Sequence, residues 1–218
     1  MRSATVTMDL LFSMAGPNPE EHHHGKHGNP GDLQSYIAKM ESPDRDAWQK
    51  PAEVVRALQM QPGQVACDIG AGPGYFALRL AREAGDRGAV FAVDVDPRIL
   101  DVLRNRIEKS GVRNVVPVLG LPGDPLIPLD SCDLILVVDT FHHFPDGVSY
   151  LRRLARSLRK GGRLVNIDFH KRELPVGPPV EHKVSREEFL SKAQAAGLIL
   201  KAEHQFLPYQ YFLVFQGS

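Results

Sequence analysis

An α/β fold built on a mostly parallel sheet follows from three observations. Short apolar runs alternate along the chain with stretches whose apolar residues recur at helical spacing. A glycine-rich turn, Gly70-Ala71-Gly72-Pro73-Gly74, separates the first apolar run from the amphipathic stretch after it. An acid, Asp94, closes the next run about twenty residues beyond those glycines, where a βαβ unit presents a carboxylate to a ribose. With 218 residues and 43% hydrophobic content, one domain is large enough to bury a sheet between two helical layers. Lys+Arg and Asp+Glu each number 26, and this zero net charge argues against a nucleic-acid surface and for a small-molecule substrate.

Taken in order, residues 1–31 read as a disordered polar tail, with His22, His23, His24 and His27 among glycine and proline. Such a histidine tract offers a metal-binding alternative. Leu10, Leu11 and Phe12 hint at a secretory signal, but Asp9 interrupts an already short apolar region. Residues 32–60 are expected to be a helical segment, with Leu33, Tyr36, Ile37 and Met40 on one face and Pro51 opening a helix that carries Val54, Val55 and Leu58. Residues 61–218 form the main domain. Its first strand is Val65–Ile69, followed by a helix stopped at Gly85 and a strand from Ala89. Asp96 and Pro97 start a helix through Ser110, and Val115–Leu119 is the third strand. Asp133–Val138 reads as a buried central strand. Leu151, Leu154, Ala155 and Leu158 give the next helix its buried stripe, with Arg152, Arg153, Arg156 and Arg159 outward. Lys160-Gly161-Gly162 turns into a strand over Leu164–Phe169. Ser185 caps a helix through Ala196, and strands over Leu198–Leu207 and Gln210–Gln216 end the chain.

Two details select the ligand. A dinucleotide fingerprint needs Gly or Ala at position 75, where this chain has Tyr75. Asp68, two residues before the turn, would face a pyrophosphate with like charge, but suits a ligand carrying an ammonium. Asp68-Ile69-Gly70-Ala71-Gly72-Pro73-Gly74 resembles the first motif of the class I S-adenosylmethionine-dependent methyltransferases. Phe141-His142-His143-Phe144 after the central strand resembles the quinone-methyltransferase-like branch, and the chain lacks the Asn/Asp-Pro-Pro-Tyr step of nucleobase and glutamine methyltransferases. From about Ser42 onward it is similar to a bacterial subgroup of unassigned substrate, on Asp44-Arg45 through Pro51 and on Gly177-Pro178-Pro179.

The resemblance implies a Rossmann-like three-layer sandwich with a seven-stranded, mostly parallel sheet whose last strand is antiparallel. It also implies S-adenosyl-L-methionine as cofactor, held by Asp68, Gly70, Ala71, Gly72, Gly74, Tyr75, Asp94, Val95, Leu121, Asp139 and Trp48. Trp48 is read as a wall of the pocket or as a staple of the amino-terminal helices. The family's acid after the third strand is missing, leaving Asp124 or backbone near Leu121 to meet the adenine. His142 and His143 are candidate bases, with His170 behind them, and the loop after Phe169 with His182 is expected to roof the substrate. Packing within their loop is the alternative reading of the histidine pair.

Cys67 and Cys132 show no metal-ligand spacing and read as buried thiols, so a reducing, cytoplasmic setting is expected. Two cysteines also fall short of the set used in arsenite methylation. No metal site is assigned, and no run is long enough for a membrane span. An NAD-dependent oxidoreductase and a non-catalytic binder of S-adenosylmethionine or metal are the competing readings. Acceptor atom, substrate and oligomeric state stay open in the sequence.

Overall fold

The computed structural model describes residues 31–217; the histidine tract and the signal-like residues before it lie outside them. Three short helices come first, α1 (Leu33–Met40), α2 (Pro43–Gln49) and α3 (Pro51–Leu58). The Asp32 carboxylate caps α1 by accepting from the Gln34 and Ser35 amides, and prolines open α2 and α3, where no amide donor is required. The alternating part follows as β1 (Val65–Ile69), α4 (Ala77–Ala84), β2 (Ala89–Asp94), α5 (Pro97–Ser110), β3 (Val115–Leu119), β4 (Cys132–Val138), α6 (Gly147–Ser157), β5 (Leu158–Phe169), α7 (Arg186–Ala195), β6 (Leu198–His204) and β7 (Gln210–Gly217).

The sheet order is β3-β2-β1-β4-β5-β7-β6, and β7 alone runs antiparallel to its neighbours. This is the Rossmann-like α/β sandwich expected from the sequence. Alternate strand residues feed two cores. Ala66, Val90, Leu134, Leu136 and Phe212 pack with α3, α4 and α5, while Cys67, Ile135, Val137, Leu213 and Phe215 pack with α6 and α7. Chain order reverses between β1 and β4, so the crevice outside their carboxyl ends is where an open α/β sheet binds ligands.

One boundary differs from the sequence expectation. Leu158 is not the last rung of a helix; it pairs with Cys132 as the first residue of β5, residues 159–162 bulge out, and pairing resumes with Arg163 opposite Leu134. Its burial satisfies either reading, so hydropathy alone does not separate them. Asp133 holds the bulge, accepting from Arg159 Nη1 at 2.7 Å and from the Val65 amide at 2.8 Å. Strand β6 also stops at His204, short of the expected Leu207. Among the described residues no helix is long and apolar enough to cross a membrane.

Candidate active site at the switch point

The glycine turn leaves β1 and enters α4 with its backbone fixed by β2: the Gly70 and Ala71 amides both donate to the Val93 carbonyl at 2.9 Å. Gly70 and Gly74 have φ of +70° and +92°. A Cβ at Gly70 would overlap the Thr140 side chain, and one at Gly74 would stand 2.5 Å from Leu103 Cδ1, so the turn packs as closely as it does only because both are glycine.

Two acids flank the turn. Asp68, 3% exposed, lies on the α4 side of β1; burial pushes its carboxyl up to about 7, against the pull of the Ala77 amide and the Arg45 charge. Asp94, at the end of β2, accepts from the Gly72 amide at 2.9 Å and from the Asp96 amide at 3.0 Å, and burial raises it too. Val95 and Leu121, just beyond the ends of β2 and β3, expose apolar side chains at 42% and 52%, beside a strand register that pairs Asp94 with Leu119. The Asp124 carboxylate accepts from Arg153 Nη1 at 2.9 Å and from the Leu126 amide at 3.0 Å.

The amino-terminal helices lie over this turn. The Tyr36 hydroxyl is 3.9 Å from where a Gly72 Cβ would be, and burial together with Asp94 pushes its phenol up to about 12. Arg106 of α5 ties the layers together, donating to the Pro73 carbonyl at 2.9 Å and pairing with Glu41. The Tyr75 ring lies between the Arg45 and Arg79 guanidiniums, 3.9 and 4.2 Å from its centroid, and its hydroxyl donates to Asp46. Tyr75 is therefore a platform beneath α2. Trp48, half-buried, packs on Phe169 at 5.5 Å between centroids, fastening α2 to the carboxyl end of β5.

Across the crevice, Asp139 ends β4 in a left-handed conformation at φ +51°, a strained geometry for a residue with a side chain. Burial and the neighbouring Asp168 push its carboxyl up to about 7. A polar chain reaches it from α2: Arg45 Nη2 donates to Gln49 Oε1 (3.4 Å), Gln49 Nε2 to Gln210 Oε1 (2.7 Å), and Gln210 Nε2 to Asp139 Oδ1 (2.6 Å). His142 and His143 form a short helical turn with Phe141, their rings 4.1 Å apart. The His142 side chain is 7% exposed, and its Nδ1 is 3.7 Å from Oδ2 of Asp168, a carboxylate with no exposed surface. His143 faces solvent. His170 sits apart from the pair, its ring 6.0 Å from that of Tyr211 and its imidazole held down by burial. Among the described residues no group of three or more His, Cys, Asp or Glu side chains is placed to hold a metal.

Arg45, Gln49, Asp168 and Gln210 do not figure in the sequence-derived site. Two signals pointed to them: a carboxylate inside the apolar run Leu164–Phe169, and an Arg and a Gln four residues apart on one helix.

Residues 61–212 match the family model described as a methyltransferase domain, well over half of the chain. The chain belongs to this methyltransferase family. The family domain thus runs from the turn before β1 into β7 and takes in both acids and the histidine turn. Among curated proteins, the methyltransferase is 31% identical to the ubiquinone/menaquinone biosynthesis C-methyltransferase UbiE of Vibrio vulnificus over 121 residues, 55% of this chain and 45% of the relative. It is 27% identical to the demethylmenaquinone methyltransferase of Listeria welshimeri over 128 residues, 59% of this chain and 53% of the relative. The chain spans about half the length of these curated relatives. Among solved structures, a SAM-dependent methyltransferase from Aquifex aeolicus superposes with a TM-score of 0.80 at 25% identity, covering 85% of this chain and 98% of that one. The [4+2]-cyclase SpnF shares the fold alone, with a TM-score of 0.66 at 15% identity, covering 79% of this chain and 82% of that one.

The residues present fit a class I S-adenosylmethionine site. The turn is open at Gly72, where the nearest atom to a Cβ would be the Tyr36 hydroxyl at 3.9 Å, an acid stands on each side of it, and the buried Nε of Arg45 has no hydrogen-bond partner among the described residues.

Proposed function

We propose that the protein transfers a methyl group from S-adenosyl-L-methionine to a small-molecule acceptor. The observation that carries this is the pair of buried carboxylates, Asp68 and Asp94, flanking a glycine-rich turn at the switch point of the sheet, in a chain of the methyltransferase family. Asp68 holds the cofactor's ammonium, the Gly70–Gly74 backbone its methionyl portion, and Asp94 its ribose hydroxyls. Val95 and Leu121 enclose the adenine. Trp48 and Asp139 bound the pocket from α2 and β4, and Tyr75 supports it from below.

Bound S-adenosylmethionine supplies a sulfonium-activated methyl group; the protein's share is to hold the acceptor in line, where orientation is worth roughly 7–11 kcal/mol, and to accept a proton. His142 is the base. The Asp168 carboxylate lies 3.7 Å from its Nδ1, which leaves Nε2 as the nitrogen assigned to the acceptor's proton. His143, exposed at the rim, is the second candidate for contact with the acceptor.

The quinone-methyltransferase names of the relatives, together with the histidine turn, support phenols and quinol-like rings as first acceptors. Against a nicotinamide cofactor stand Asp68, whose carboxylate would oppose a pyrophosphate, and Tyr75, committed to two guanidiniums. Parallel calorimetric titration with S-adenosylmethionine, S-adenosylhomocysteine and NAD is the test. Binding of the first two alone is expected, followed by turnover in a screen of phenols and quinols; binding of NAD alone would sink the proposal.

A further inference from the structure

The loop from residue 170 to residue 184 leaves the carboxyl end of β5 and folds back onto Phe169, the last residue of that strand. Gly177 lies against the Phe169 ring: a Cβ there would come within 2.9 Å of three ring atoms, at a φ of +95° that suits glycine. Trp48 packs on the same ring from α2. The Nζ of Lys183 stands 5.8 Å from the ring centroid and donates to the Arg172 carbonyl at 2.8 Å. Phe169 directly follows Asp168, the carboxylate beside His142, so this ammonium covers the strand end next to the base.

Lys183 is 3% exposed, and among the described residues it pairs with no carboxylate. Other lysines behave differently. Lys50 lies 3.9 Å from Glu53, Lys171 4.0 Å from Glu188 and Lys192 2.8 Å from Glu188, and each keeps about a third or more of its side chain in water. An ammonium has three donors, and one carbonyl with one ring face falls short of what a charge withdrawn from water requires. The two acids nearest β5 in the crevice are engaged elsewhere, Asp139 with Gln210 and Asp168 beside His142.

We propose that Lys183 receives an anionic substituent of the methyl acceptor, which makes the acceptor a hydroxylated aromatic carboxylate. The inference rests on the acceptor reading above and narrows it. The half-buried Trp48 offers the acceptor ring an aromatic surface, its hydroxyl turns toward His142, and its carboxylate points to the roof, away from Asp139 and Asp168, which would repel it. Lys183 is then a specificity residue: it admits acids and disfavours neutral rings of the same shape.

The test is calorimetry on the full chain saturated with S-adenosylhomocysteine, titrated with a panel of hydroxybenzoates and hydroxynaphthoates and with the matching neutral carboxamides. Wild type is expected to prefer the best acid over its amide by roughly 30-fold, the scale of losing one partner of a buried charge pair. Lys183→Gln, which can still donate to the Arg172 carbonyl but carries no charge, should shrink that preference to about twofold through loss of affinity for the acid alone. Lys183→Arg restores the charge and should keep about tenfold, a rescue that a purely structural role of the lysine would not produce. Thermal melts verify folding, and Lys183→Met takes the place of the Gln variant should that one not fold. A preference undiminished in the folded uncharged variant, or wild type that binds amides as tightly as acids, overturns the role of Lys183. Protein that binds S-adenosylhomocysteine but none of the panel overturns the acceptor class and leaves the cofactor reading standing. Protein that does not bind S-adenosylhomocysteine overturns both.

Discussion

Replacing Asp68 by Asn is expected to move stability and cofactor affinity in opposite directions. Burial lifts the carboxyl from its ordinary 3.8 to about 7, with Asp94 adding to the rise and the Ala77 amide and Arg45 opposing it. Because the folded state holds this proton more tightly than the unfolded chain does, the group is harmless below about pH 4. Its cost then grows as pH rises and is complete above about 7. At 1.36 kcal/mol for each tenfold change, the full cost is roughly 4 kcal/mol. An amide of the same shape does not titrate. The Asn variant's advantage over wild type in urea unfolding should therefore grow from roughly 2 kcal/mol at pH 5 to roughly 4 kcal/mol at pH 8. Affinity for S-adenosylhomocysteine should fall at pH 8 by about 2 kcal/mol, roughly 30-fold, because the ammonium loses a charged acceptor. A stability difference identical at the two pH values would refute the buried, proton-holding carboxyl. Undiminished affinity would refute its part in binding.

Asp168→Asn is expected to lower turnover about 100-fold while S-adenosylhomocysteine binds as before, since the imidazole loses the carboxylate 3.7 Å from Nδ1; unchanged turnover would remove Asp168 from the reaction. Gly74→Ala places a Cβ 2.5 Å from Leu103 Cδ1 at φ +92°; backbone strain and overpacking together should remove about 2–4 kcal/mol in urea titration. Phe189→Ala empties a fully buried site between Phe141 and Phe215, at 4.6 and 5.7 Å, and should cost about 3–5 kcal/mol without altering the affinity of the folded protein for S-adenosylhomocysteine.

Much of the fold was legible because its information is local. The caps at Asp96 and Ser185, the stop at Gly85 and the apolar runs of β1, β2 and β4 are patterns within a few residues of one another. The acids around the turn were legible for the same reason: Asp68 and Asp94 lie within one βαβ unit. The rest of the site depends on contacts that no short window contains. Gln49 meets Gln210 across 161 positions, and Asp168 is brought beside His142 by the parallel pairing of β4 with β5. Spacing marks Arg45 as helical but does not show that its face turns inward onto Tyr75. The helical reading of Leu158 failed because a buried leucine suits either a helix stripe or a strand, and only hydrogen bonding to Cys132 decides.

The position of β7 bears on how the chain assembles. The segment from residue 210 enters the sheet between β5 and β6, so the last strand in sequence is an interior one. Until it docks, β5 presents an unpaired edge next to Leu164, Val165 and Ile167, a template for another copy of the chain. The same event delivers Gln210 to Asp139 and Gln49. A chain cut before residue 210 would therefore keep its glycine turn, yet lose the clasp that joins the covering helices to the far wall of the crevice and gain a sticky edge in its place.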